Sequence, residues 1–258
     1  MQNVEAFIAT PKEDAPIVME GLLASRSHGK WKKPRDREKF HTFALLDGEK
    51  DQERIGEILS RNPDDIRTAL ILLMVDNLVE IKTRKGRPIT MNALLLDKSF
   101  KKIKPNGTEF AHAFYTRLFA LADTLAYQYE QERKHLLMQN RLSDEHAKTL
   151  ASKIAFCLNV RLLFKNTNMH DLYHAFLQKL ALIIAGVTEH RDIRSMLIEH
   201  GKKHIEYGVL PEHYPLVGQA LIETLREYLA DEWSQELEDA WSDAYAIVSA
   251  LMQSAADG

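Results

Sequence analysis

Two pairs of histidines stand four residues apart, His170 with His174 and His200 with His204. Residues at that spacing share one face of a helix, so each pair can offer two imidazoles to a metal; a structural zinc site would also need further ligands at fixed places. His204 carries the sharper signal. Ile193, Leu197, His200 and His204 recur at steps of three and four, which turns both histidines of that pair to the inner side of one helix, and Gly208 and Pro211 then end it. An imidazole at the end of such a stripe can donate from one ring nitrogen to a carbonyl and coordinate iron through the other. On periodicity alone, a core histidine satisfied by the backbone is the favoured explanation of the pattern. Other chemistry finds no support: there is no His-Glu-x-x-His, no nucleophile elbow and no glycine-rich phosphate or dinucleotide loop.

The elements that must position these residues come from a chain of 258 residues, 45% hydrophobic, which has room for two packed domains. The single cysteine, Cys157, excludes an internal disulfide or a multi-thiolate cluster and reads as a small core residue. The longest apolar runs, 69–75 and 180–187, are too short to cross a bilayer, and no basic-then-apolar signal opens the chain, so a cytoplasmic protein is expected. Charge divides unevenly, with 20 Lys and Arg against 16 Asp and Glu up to Asn106 and 14 against 21 beyond it. Pro105-Asn106-Gly107, after the lysines at 98, 101, 102 and 104, reads as a linker. The expected organisation is a segment of undetermined structure over 1–40, a small domain over 41–105 and a larger one over 107–258.

Residues 40 to 93 look like a winged helix-turn-helix. Gln52 to Leu59 gives a short helix with Ile55 and Ile58 inward, and Ser60-Arg61-Asn62-Pro63 makes the turn and opens the next helix. That helix ends at Asn77 and Leu78, after which residues 79–83 and 87–91 are expected to pair around Lys85-Gly86 as a wing. The helix in the recognition position is unsuited to DNA. Asp64 and Asp65 repel phosphate, and its body, Ala69 to Val75, is wholly apolar, so it should be buried. Basic residues at Lys82, Arg84, Lys85, Arg87 and in Lys30-Trp31-Lys32-Lys33-Pro34-Arg35 leave nonspecific nucleic-acid contact open, but contact with a protein is the preferred expectation.

From Thr108 the pattern is uniformly helical. The run from His200 to Gly218, with Tyr214-Pro215-Leu216-Val217-Gly218 and later Ala240-Trp241-Ser242-Asp243-Ala244-Tyr245, resembles bacterial single-domain haemoglobins and the globin part of flavohaemoglobins. The resemblance implies a mainly α protein with a globin fold at the carboxy terminus and a small α+β winged-helix domain before it. It implies haem b, with His204 as the proximal iron ligand and Phe164 packing on the haem face. By the family's spacing Leu172 takes the distal position, Phe176 follows one turn later and Leu150 falls near a pocket position of the second helix. Tyr214 matches a tyrosine that polarises the proximal histidine, whereas the matching glutamate falls near Ala256.

Departures from the family pattern narrow the implied function. Leu150, Leu172 and Phe176 offer no hydrogen-bond donor, which disfavours dioxygen storage and nitric oxide dioxygenation but leaves carbon monoxide or nitric oxide binding. His200 stands where an aliphatic residue is usual and competes as ligand, and His170 or His174 would reach the iron after a small rotation. The expected function is a haem-binding regulatory or sensor globin. A diatomic gas would be its ligand, a protein partner would meet the winged-helix domain, and no catalysis is expected beyond that of haem iron. The alternatives are a haem-free globin-fold interaction protein and a DNA-binding regulator with a globin sensor. Trp233 and Trp241 suggest pairing of two copies through the last helix.

Overall fold

The computed structural model describes residues 7–12, 26–27, 30–31, 39, 41–46, 48–76, 78–83 and 85–257. Asp47, Asn77, Arg84, the basic residues 32–35 and most of 1–40 lie outside these. Two compact units emerge, one from Met1–Asn92, Ile193–Lys203 and Ser242–Gly258, the other from Ala93–Asp192 and His204–Trp241. No helix among the described residues is long and apolar enough to cross a membrane.

The first unit is built on a helix pair. Helix α1 (Gln52–Leu59) starts where the Asp51 carboxylate accepts from the Arg54 N–H at 3.0 Å and ends at Ser60 in the left-handed conformation. Asn62 then caps α2 (Pro63–Val75), whose first residue is the proline that the sequence placed there. As expected, α2 is buried along its body: Ile66, Leu70, Ile71 and Leu73 are essentially inaccessible. Ile55 is equally buried, but Ile58, expected inward, is exposed, because the inner face of α1 runs through Gln52, Ile55 and Gly56.

The hairpin expected over 79–91 does not form as two strands. Strand β1 (Phe7–Pro11), from the segment left unassigned by sequence, pairs antiparallel with β4 (Val79–Thr83), Ala9 opposite Ile81. Among the described residues the other two strands are the two-residue β2 (Arg26–Ser27) and β3 (Lys30–Trp31), which pair with each other. Beyond the turn at Gly86, residues 87–91 form no strand. The return consists of one bridge, Lys82 with Pro88, flanked by the Thr83 N–H donating to the Arg87 carbonyl at 2.8 Å and the Ile89 N–H donating to the Ile81 carbonyl at 3.0 Å. The Arg87 side chain turns to Asp243, a bidentate pair at 2.6 and 3.1 Å, and the Thr90 N–H donates to the same carboxylate. An arginine committed to a buried carboxylate is not available to phosphate.

The second unit is helical. Helix α3 (Ala93–Ile103) passes through a 3-10 turn at Lys104–Asn106 into α4 (Gly107–Met138), so the expected linker is a helical joint. Proline is tolerated there because it sits in a first turn, where its missing N–H costs nothing. Gly107 is buried, with Leu177 so close that a Cβ would fall 2.8 Å from its nearer methyl. Ser143 caps α5 (Asp144–Leu162) and Asn168 caps α6 (Met169–Thr188). Helix α4 packs on α5, on α6 and on α8 (His213–Leu229). Helices α7 (Arg194–Glu206) and α9 (Gln235–Gln253) each contribute to both units. Trp241 is buried in the second unit and donates from its indole to the Ser99 hydroxyl at 3.0 Å.

Candidate functional site

Helix α7 carries the stripe read from sequence. Leu197 is fully buried, while His200 and His204 are half-buried. The helix lies close to α9 at Gly201, where an added Cβ would fall 2.0 Å from the Met252 carbonyl oxygen, so no larger residue fits. Its last turn is closed in the way glycine permits. Gly208 adopts φ +82°, the Gly208 N–H donates to the Ile205 carbonyl and the Val209 N–H to the His204 carbonyl at 2.9 Å. The backbone of His204 is thereby fixed on the side where a flexible loop would otherwise leave it loose.

Tyr214, on the first turn of α8, brings its ring to 6.4 Å from that of His204, at 28°. Between them the chain is clamped by a residue that the sequence reading missed. His213 is 3% exposed; its Nδ1 accepts from the Leu210 N–H at 2.8 Å, and its own N–H donates back to the Leu210 carbonyl at 3.0 Å. An accepting Nδ1 puts the ring proton on Nε2, which has no partner among the described residues and lies in a ring tilted over Phe156 at 4.5 Å. Burial lowers the His213 pKa below the ordinary imidazole value. The only sequence signal would have been its place at a helix start just after Pro211, where polar side chains often close turns.

The apolar candidates form a second group. Phe176 stacks face to face on Phe114 of α4, centroids 4.7 Å apart and planes 2° apart, and Tyr115 touches Phe164 at 5.5 Å and Phe176 at 5.9 Å. Phe164, Leu172 and Phe176 are half-buried; Leu150 on α5 is fully buried. Burial, reinforced by Tyr173, pushes the Tyr115 phenol well above its usual pKa, so it stays neutral. Cys157 is buried and its thiol pKa is raised, the state of an inert core thiol. His170 and His174 are exposed, with rings 4.5 Å apart, turned to each other on the outside of α6. Trp233, expected near a pairing surface, donates its indole N–H to Glu238 at 3.1 Å within its own chain.

Similarity to known proteins bears on the same stretch. The globin family model matches residues 156–252, which take in α6, α7, α8, all but the last residue of α9 and the corner at Phe164. This segment is a globin domain. A flavohemoprotein of Bordetella pertussis is 38% identical over 79 residues, 29% of this chain. The chain covers only about a fifth of that relative's length, 20%. An anaerobic nitrite reductase HBII of Casuarina glauca is 26% identical over 175 residues, covering 66% of this chain and 95% of that protein. A leghemoglobin-1 of Lupinus luteus is 38% identical over 53 residues, 20% of this chain and 34% of that protein. The globin match implies haem as the cofactor and a diatomic gas as its ligand.

A haem held by one protein ligand needs an imidazole on a fixed backbone and a flat apolar surface to cover. In this segment His204 could supply the first, and Phe164 and Leu172, apolar yet only half-buried, are of the type that could supply the second.

Proposed function

We propose that the globin domain binds haem through His204 and serves as a gas-responsive regulatory module for the amino-terminal helix pair. The observation that carries this is the closure of α7, which fixes the His204 backbone through Val209 and sets Tyr214 beside its ring. Tyr214 would orient the imidazole from that side. Phe164 and Leu172 would cover haem faces, Leu150 would line the pocket behind them, and Phe176, braced by Phe114, would wall its inner end. When bound, haem would supply an iron centre that takes a diatomic ligand; Leu172, Leu150 and Phe176 would give that ligand no hydrogen bond, which favours carbon monoxide and nitric oxide over dioxygen unless the Tyr115 hydroxyl reaches it.

The regulatory part rests on where α7 begins. Its first residue, Arg194, donates to the Val75 carbonyl at 2.7 Å and pairs with Asp76, the cap of α2, which also holds Lys39 at 2.8 Å. A helix that ends in the iron ligand thus begins on the α2 cap, and a shift of α7 would alter contacts that α2 makes. A protein partner meeting the helix pair, and not sequence-specific DNA, is the reader this arrangement favours, since α2 is buried and Arg87 is engaged.

The test is an absorption spectrum of the full chain reconstituted with haem. A Soret band should appear in the wild type and be lost or strongly shifted in His204→Ala. An unchanged band in that variant would move the ligand elsewhere, with His200 the first candidate. Hydrogen exchange with and without carbon monoxide then checks the coupling: protection should change at 194–203 and at the α2 end, 72–76, and no change at either would leave a haem protein without the proposed regulation. Because the Casuarina relative matched over most of its length is named a nitrite reductase, nitrite consumption by the reduced protein is a second reading open to the same sample.

A further inference from the structure

The sequence pair His170 and His174 finds no use in the site above, and its geometry suits another. Both side chains are exposed, and their ring centroids lie 4.5 Å apart at 74° on the outer side of the first turns of α6. The backbone beneath them is fixed: Asn168 accepts from the His170 N–H through its side chain at 3.1 Å and from the Leu172 N–H through its carbonyl at 3.0 Å. Two imidazoles presented on adjacent turns of a capped helix need little reorganisation to meet one ion.

We propose that His170 and His174 form a two-imidazole chelate for a divalent transition metal of the copper or nickel class, separate from the iron site. Among the described residues no third His, Cys, Asp or Glu joins them in a metal-holding group, so water must complete the coordination. Zinc in protein sites normally takes three or four protein ligands, whereas copper(II) and nickel(II) accept two nitrogens side by side with water in the remaining tetragonal positions, and copper(II) binds most tightly in the divalent series. Binding would tie one turn of α6 to the next across Leu172 and so stiffen the helix start that carries the proposed distal residue. The metal-site assignment itself does not depend on haem binding.

The test is titration of untagged, full-length protein, without and with haem supplied, with copper(II) sulfate, followed by calorimetry and, where haem is bound, by the Soret band. One equivalent should bind in both samples with the Soret band unmoved; His170→Ala and His174→Ala should each weaken it at least tenfold, while substitution of the exposed His146 by alanine should leave it intact. Both histidines are exposed, so the two alanine variants should fold, and far-ultraviolet circular dichroism checks this. Full-strength binding in both single variants, absence of saturable binding, equal loss in His146→Ala, or a Soret shift that depends on His170 or His174 would each overturn the proposal.

Discussion

Helices α2 and α6 are both apolar, and the structure treats them differently. In α2 nearly every residue from Ile66 to Leu73 is buried. In α6, longer and at least as rich in Leu, Ile, Phe and Ala, only Ile184 and Gly186 are fully buried, and Leu182 is 47% exposed. An apolar helix whose surface is fully consumed by its neighbours is a structural beam. One whose apolar surface is half-consumed still has area to cover with something else, and burying about 100 Å² of it is worth roughly 2.5 kcal/mol. The contrast separates a helix that only supports from one that can receive a ligand.

Mutation should break the two helices unequally. Leu70→Ala removes a side chain with no exposed surface and should cost about 2–5 kcal/mol in urea unfolding, whereas Leu182→Ala should stay within about 1 kcal/mol. Equal losses would erase the distinction. Haem should sharpen it. At a hundredfold excess of free haem over its dissociation constant, stability should rise by about 2.7 kcal/mol, with new amide protection concentrated in α6 and the α2 interior unchanged. Protection gained equally in both helices would mean that the cofactor covers no particular face.

A smaller effect concerns the turn that leads into α8. The folded-state pKa of His213 is lowered by burial, so the folded protein holds this ring neutral while the unfolded chain protonates it near 6.5. Its contribution to stability is therefore present above pH 6.5 and is lost as pH falls through the lowered folded value. Urea midpoints should drop across that window in the wild type, and the His213-dependent part of the slope should vanish in His213→Gln. A slope unchanged by the substitution would show that other groups carry it.

Much of the local structure was legible in the residues. Asn62-Pro63, Ser143 and Gly208 mark helix ends because capping and left-handed turns are satisfied by atoms a few residues away. The stripe ending at His204 was legible for the same reason, and so was the buried body of α2. The pairing of β1 with β4 was not, since a five-residue strand names no partner, and the expected partner, 87–91, makes a single bridge. Arg87 read as a basic wing residue because its carboxylate, Asp243, lies 156 residues away. Pro105 read as a linker because proline at a helix start and proline after a helix end look alike in one dimension.

The sequence alone determined α1, α2 and the ends of several later helices, with the imidazole near the end of α7, all of which follow from spacing within a turn or two; it did not show α3, whose lysines read as part of a linker. Tertiary structure decided which apolar faces were spent. It packed α2 to completion and left α6 half-covered, turned His170 and His174 outward, and buried His213 to hold the turn beside Tyr214. The physical reason is that capping and periodicity are local, whereas burial depends on which distant surface arrives, and that is set only when the whole chain has packed.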